Sequence, residues 1–450
     1  MRAKLEKSLH QENIDEHNLL IDPDNIFWAL VSDKDVHGEA GKKVFSLYQR
    51  LKPKLDVVMR NFRFKTDLNS VYINPTDLCN ADCAYCYIPS VQRKKGVQMS
   101  REQLVYVLKK IDRYFRARRE ASFKPMIIYH GSEPLLMKDI LFSSIAEFHT
   151  KFHFGIQTNA LLLGKKDVDF LKSYQVSLGI SLDSPDQRIN TFTRKAGAGS
   201  NYSQAVQAIK WFGGYAGLSV IATITKYNLK TMPDLVRFLH AQKVPCLLLN
   251  PVRATRKATV KLRPPQKELT RYFIQAAETA INLARRSRRR IIIGNFSNIL
   301  LGITAPQARR MMCDISPCGG GRCFFAVSAQ GKTFPCGEFI GLEKFNGGNI
   351  FTDSIGEIMS SAPFKKIRSR VVEKIEECDI CVYRNICGAP CPAEIYSLSK
   401  TVSGKSPYCE FYKEIIQYAF RLIAQDRIKY LFRKNAFEDV KYEYKLNVWK

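Results

Sequence analysis

Three cysteines, Cys79, Cys83 and Cys86, fall within eight residues and directly follow the apolar stretch SVYINP (70–75). The spacing Cys-x3-Cys-x2-Cys puts three thiols in one loop, within reach of three corners of a metal–sulfur cubane. Thiolate sulfur suits both iron–sulfur clusters and zinc. A structural zinc site would favour a Cys-x2-Cys pair and need a fourth ligand. The next candidates, His130, His153 and Cys246, lie far along the chain. Three protein ligands for four irons leave one iron open to chelate a small molecule through an amine and a carboxylate.

What precedes and follows the loop sets the expected fold. Short apolar segments recur at 70–75, 125–130, 152–158, 176–183, 218–225 and 245–252, separated by helical stretches such as 203–212 and 232–242. Each is rich in residues suited to a buried parallel strand. Six such units predict an α/β fold, a partial six-stranded β/α barrel with right-handed crossovers. Ligands of such sheets gather beyond the C-terminal strand ends, which is where the cysteine loop emerges. The helix from Ser100 to Glu120 carries its own start signal: Ser100 as N-cap with Gln103 completing a capping box. Leu104, Val107, Leu108, Ile111 and Phe115 form its buried stripe.

The chain of 450 residues is long enough for two to four structural units. Residues 1–66 form a small N-terminal segment, either a cap on the next unit or a peptide-docking module. Within it 26–31 reads as a strand and 41–51 as a helix with Val44, Leu47, Tyr48 and Leu51 on one face. The barrel takes 67–300, a loop-rich cysteine region 313–412, and a charged helix and tail 413–450. A helix over about 266–285 links barrel and cysteine region. It ends near the basic run Arg285–Arg290, where cations complement the helix dipole.

No run of about eighteen apolar residues predicts a membrane span, and the charged start lacks the apolar core of an export signal. A cytoplasmic location is therefore expected, and in that compartment 13 cysteines argue against a disulfide framework. The formal net charge of +28 favours anionic partners, acidic peptides or nucleic acid, or serves as a solvated surface. The second cysteine group runs Cys318-x4-Cys323, Gly331-x4-Cys336, Cys378-x2-Cys381-x5-Cys387-x3-Cys391, then Cys409. A glycine-rich stretch with few long apolar patterns depends on metal for its fold. Iron–sulfur ligation and a zinc region both fit Cys-x2-Cys; eight cysteines with few histidines favour iron. Cys246, in an apolar strand, reads as core packing, and Cys313 as a spare thiol or an alternative ligand.

The first motif, with Tyr85 as the aromatic before its last cysteine, resembles that of the radical S-adenosylmethionine (SAM) superfamily. The second is similar to the SPASM domain, the C-terminal auxiliary-cluster domain of peptide- and protein-modifying members. The resemblance implies a SAM-binding [4Fe–4S] cluster on Cys79, Cys83 and Cys86. It also implies two auxiliary [4Fe–4S] clusters, one on Cys318, Cys323, Cys336 and Cys391, the other on Cys378, Cys381, Cys387 and Cys409. Gly131-Ser132-Glu133-Pro134 stands where the family has Gly-Gly-Glu-Pro, the backbone that receives the methionine amino group. Gln157 and Asn159 close the third strand, where polar contacts to SAM are expected. Ser181 and Asp183 match a ribose contact, and Arg194 an arginine for the SAM carboxylate, which its fork can bind bidentately.

The implied activity is reductive cleavage of SAM to a 5′-deoxyadenosyl radical that abstracts hydrogen from a residue of a ribosomally made precursor peptide. The outcome is a crosslink or an oxidised side chain. An electron donor such as flavodoxin or ferredoxin is implied, with neither membrane nor nucleic acid as the favoured partner. The alternatives are formylglycine formation of the anaerobic sulfatase-maturing kind, RNA modification, and a non-catalytic iron–sulfur electron carrier. Sulfatase-maturing relatives have an aspartate directly after the third ligand of the first auxiliary cluster. Here Gly337 follows Cys336, and Glu338, one further on, reads as a surface carboxylate or as the proton acceptor.

Overall fold

A computed structural model of the chain describes residues 9–118, 123–255, 257–309, 311–433 and 448–449. The N-terminal segment is an antiparallel run of β1 (His10–Ile14), β2 (His17–Asp22) and β3 (Phe27–Ser32), followed by a helix over Glu39–Phe64. That helix runs well past the expected 41–51 stretch. Pro53 lies inside it on the exposed side, and the buried stripe of Val44, Tyr48, Leu55, Met59 and Arg63 carries the helix across the proline. Tertiary burial outweighs the local cost of a proline here.

The segment is pinned to distant parts of the chain. The Trp28 indole donates to the Ile303 carbonyl at 2.8 Å and packs edge-on against Phe420. Arg63 pairs with Glu373 at 2.8 Å and donates to the Ser316 carbonyl. The Asn385 amide reaches the Pro23 carbonyl at 2.9 Å.

The centre is an open nine-stranded sheet. Its six expected strands are β4 (Ser70–Ile73), β6 (Met126–Tyr129), β7 (His153–Thr158), β8 (Ser177–Ser181), β11 (Leu218–Ile224) and β12 (Cys246–Pro251). They lie side by side in that order, all parallel. Three further strands extend it: β13 (Ile292–Ile293) parallel to β12, β14 (Phe324–Val327) parallel to β4, and β15 (Thr333–Phe334) antiparallel to β14. The cysteine-rich region is thus not a separate lobe, since its first hairpin continues the sheet.

The strands are not buried alike on both faces, as their apolar content suggested. In β11, Leu218, Val220, Ala222 and Ile224 are buried, while Ile221 and Thr223 line a cavity on the other face. In β6, Ile127 and Tyr129 are buried and Met126 and Ile128 line the cavity. Side chains alternate across a strand, so one face packs on helices and the other forms the cavity wall. The helix over Arg101–Arg116 has the expected capping box and buries the five expected residues; 119–122 lie outside the described residues. The helix over Cys409–Ala424 packs on the one over Gln266–Ser287, with Phe411 edge-on to Phe273 at 5.3 Å and the Tyr418 hydroxyl donating to Glu278 at 2.7 Å. Of the expected tail only β16 (Val448–Trp449), parallel to β3, is described beyond 433. No helix among the described residues is long and apolar enough to cross a membrane.

Candidate active site

The first cysteine loop is tied into a three-stranded hook at the C-terminal end of the sheet. Here β5 (Asp82–Cys83) pairs antiparallel with β9 (Arg194–Ala196), which pairs with β10 (Gly199–Ser200). Cys83 stands opposite Arg194 in that ladder. Arg93, almost fully buried, stitches the loop from inside. It donates to the Ala81 carbonyl at 2.8 Å and the Ile88 carbonyl at 3.2 Å, and pairs with Asp82 at 2.6 Å. Burial pushes the Cys79 thiol up to about 11 and Cys83 up to about 12. Cys86 raises both further, and Cys79 adds to the rise at Cys83. Such thiols stay protonated unless a cation or metal replaces the proton.

Behind Cys83 lies an interlock. Asp183 is 1% exposed. It accepts from the Tyr85 hydroxyl at 2.7 Å and the Thr223 N–H at 3.0 Å, and pairs with Arg194 at 2.9 Å. Burial works against the Arg194 charge, but Asp183, Tyr85 and Cys83 more than offset it. Arg194 also lies over the Tyr85 ring and reaches Cys83 Sγ at 4.0 Å.

The second strand ends in a turn that only glycine fits. Gly131 has φ +95°, and a Cβ there would meet the Asn74 side chain at 2.3 Å. Ser132, in place of a second glycine, turns its hydroxyl away to the Asp77 carbonyl at 2.6 Å. Glu133 is completely buried. Its carboxylate accepts from Thr158 Oγ1 at 2.7 Å, Leu135 N–H at 3.0 Å and Asn159 N–H at 2.8 Å. Burial lifts its pKa to about 7, and those three bonds hold it from rising further.

These elements enclose a cavity of about 640 Å³. Cys79, Cys83 and Cys86 line it, with Tyr85, Gly131, Ser132, Gln157, Asn159, Ser181 and Arg194. Glu133 and Asp183, expected as cofactor contacts, stand behind the wall with their oxygens committed to protein donors. Sequence alone singled out these positions without showing which carboxylates were already spent.

The same cavity reaches the second cysteine group, and Cys318, Cys336 and Cys391 also line it. The charges of neighbouring thiols bear on one another in two sets. Cys336 responds to Cys391, Cys318 and Cys313, Cys391 to Cys318, Cys323 to Cys318, and Cys313 to Cys318 and Cys391, so the first set also draws in Cys313. Cys378 responds to Cys409 and Cys381, Cys387 to Cys381 and Cys409, and Cys409 to Cys381. Burial lifts Cys323, Cys378 and Cys391 to about 11. Cys313 opens onto the cavity beside Cys318, while Cys246 lies in β12 against Gly294. Among the described residues no cysteine is in a disulfide, and no three His, Cys, Asp or Glu converge tightly enough to grip a single metal ion.

The cavity also holds groups that the motifs did not single out. The Tyr87 hydroxyl, His130 Nδ1 and Glu338 Oε2 are buried on its wall with no hydrogen-bond partner. Arg253, at the end of β12, faces Glu394 at 3.7 Å. Glu338 is thus no surface carboxylate, and burial raises its pKa while Arg253 opposes the rise. Tyr87 follows Cys86 and His130 precedes Gly131, so adjacency to the motifs was the available signal. Unpaired buried polar atoms facing one space call for a polar occupant. With eleven reduced cysteines in three groups, the residues fit iron–sulfur clusters and a small polar cofactor.

Residues 73–239 match the Radical SAM superfamily, and residues 318–382 match the SPASM iron–sulfur cluster-binding domain. An uncharacterised protein of Archaeoglobus fulgidus is 42% identical over 93% of this chain and 95% of its own length. A cysteine-type anaerobic sulfatase-maturating enzyme of Clostridium perfringens is 24% identical over 79% of this chain and 97% of its own. Among solved structures, anSMEcpe with bound AdoMet superposes at TM-score 0.70 with 20% identity, covering 82% of this chain and 96% of that one. Streptococcus suis SuiB bound to its precursor peptide SuiA superposes at 0.60 with 15% identity, covering 90% and 99%.

Proposed function

Because the chain belongs to the radical SAM superfamily and carries a SPASM domain, we propose that it is a radical SAM oxidoreductase that modifies a ribosomally made precursor peptide, leaving a crosslink or an oxidised side chain. The observation that carries this reading is a single cavity lined both by Cys79, Cys83 and Cys86 and by Cys318, Cys336 and Cys391. A substrate held between them would face both groups at once.

In this reading Cys79, Cys83 and Cys86 hold the SAM-binding cluster, and the eight later cysteines hold two auxiliary ones. A reduced cluster with SAM bound supplies one chemistry, hydrogen-atom abstraction from an unactivated carbon. The protein's part is placement. Gly131 and Ser132 let the backbone approach the cofactor, while Gln157, Asn159, Ser181 and Arg194 offer it polar groups. Glu133 and Asp183 act as positioning residues: Glu133 locks the second strand end to the third, and Asp183 fixes Tyr85 and Arg194 against Cys83. An external one-electron donor such as flavodoxin or ferredoxin completes the system, and the reduced thiols suit the cytoplasm.

One observation favours a second reading, formylglycine formation on a protein. Glu338 reaches the cavity although Gly337 occupies the position where sulfatase-maturing enzymes carry aspartate. Its carboxylate would take the proton released as the substrate carbon is oxidised.

The test is anaerobic incubation of the iron-reconstituted, reduced protein with SAM and two probes: a cysteine-containing peptide, and any short peptide encoded beside the gene. Loss of two hydrogens from the neighbouring peptide with its sulfur retained supports the maturase. An aldehyde on the cysteine peptide, trapped by a hydrazide, supports the second reading. Absence of 5′-deoxyadenosine under all conditions contradicts both.

A further inference from the structure

Arg370 stands where the two sets of later cysteines meet. It is 3% exposed. Its guanidinium donates to the carbonyls of Ala389 at 2.8 Å, Gly404 at 3.1 Å and Gly388 at 3.5 Å, and its Nε to Val402 at 2.5 Å. Gly388 and Ala389 belong to the three residues that join Cys387 of one set to Cys391 of the other. The fork therefore grips the shortest covalent link between the sets. Cys318 and Cys391 on one side, and Cys378 and Cys387 on the other, all act electrostatically on this one side chain.

Its partners set it apart from the ion-paired buried arginines, a trait it shares with Arg309 and Arg322, which also donate only to carbonyls. Arg63 has Glu373, Arg93 has Asp82 and Arg194 has Asp183. Among the described residues Arg370 has only neutral carbonyls. A guanidinium does not give up its proton in a protein, and a buried charge without a counter-charge is costly. Thiolate-bound clusters on both sides would supply that counter-charge.

We propose that Arg370 is the shared counter-cation of the two auxiliary clusters, one charge that sets the reduction potential of both. The inference rests on the cluster assignment made above. A fixed positive charge in a low-dielectric interior favours the more negative, reduced state of each neighbouring cluster and so raises its potential. Arg322, which acts on Cys318 and Cys323, and Lys413, which acts on Cys409, each serve one set in this way. Arg370 serves both.

The experiment is an anaerobic redox titration, followed by electron paramagnetic resonance, of the full-length reconstituted protein and its Arg370→Gln, Arg370→Lys and Lys413→Gln variants. Iron is counted first. Arg370→Gln should shift both auxiliary midpoints to lower potential and leave the SAM-binding cluster where it was. Arg370→Lys, which keeps the charge, should hold both near the wild-type values. Lys413→Gln should move one auxiliary midpoint at most. A shift of only one auxiliary cluster in Arg370→Gln, or no shift with full iron, would overturn the proposal. So would equal iron loss in the Gln and Lys variants, which would make Arg370 a strut. A wild-type protein that takes up iron for a single cluster would bring down the cluster assignment itself.

Discussion

Cys79, Cys83 and Cys86 sit in one short loop on a sheet whose apolar core is complete without them, whereas Cys318 to Cys409 are drawn from separate turns and helix ends and several of them belong to the apolar packing itself. The sheet and its helices share one continuous cluster of buried apolar residues, which also takes in Ile350, Ile355, Ile358, Phe364 and Ile386 of the later region. The later region has small clusters in which cysteines are themselves members: Cys318 and Cys391 with Phe334, Phe339, Phe345 and Ile367, and Cys323 with Met312, Ile315 and Phe324. Cys378 packs on a third, of Val372, Ile375 and Ala389. On the proposed cluster assignment, metal in the first site would add to a finished fold, while metal in the second would complete packing in which the cysteines take part.

The largest effect should follow from iron removal. Chelation under reducing conditions should open 313–409 to protease while the sheet keeps its cooperative unfolding. Limited proteolysis with mass mapping reads this out; cuts spread evenly through 67–300 would break the comparison. Cys391→Ala should reproduce the local opening and lower the iron content by about four atoms per chain.

A smaller effect is expected inside the first region, where protein groups rather than metal hold the geometry. Asp183→Asn leaves Arg194 buried without its partner and should cost about 3–5 kcal/mol in unfolding experiments. It should also weaken SAM binding, because Tyr85 and Arg194 lose the group that orients them. An unchanged denaturation midpoint would remove Asp183 from its positioning role.

The smallest effect is a pH dependence. The Glu133 carboxyl binds its proton more tightly in the folded state, at about 7, than its ordinary carboxylate range allows when unfolded. Its contribution is thus fully present below the ordinary range and is lost as pH rises through about 7. The stability of the wild type relative to Glu133→Gln should fall by up to one proton's slope across that window. A flat difference would place the charged carboxylate comfortably in its pocket.

The order of strands and helices was readable because apolar segments, Ser100 with Gln103, and the loop after 75 are local signals. The helix past Pro53 was not, because distant contacts of Leu55, Met59 and Arg63 decide it. The joining of Phe324–Val327 to Ser70–Ile73 spans most of the chain and leaves no local trace. At the site, types and spacing of cysteines were legible, and so were the polar positions around them. The depth of Glu133, Asp183 and Glu338 was not, since burial is set by elements that arrive from elsewhere. Arg370 lies outside every motif, and only the folded chain brings it between Cys387 and Cys391.

The division between the two regions is tested most directly by replacing Cys79, Cys83 and Cys86 together with alanine, reconstituting the protein, and measuring 5′-deoxyadenosine formed from SAM alongside iron per chain. The expected result is no product above background from a folded protein that still holds about eight irons. Product at the wild-type rate, or a variant that neither folds nor binds iron, would contradict it.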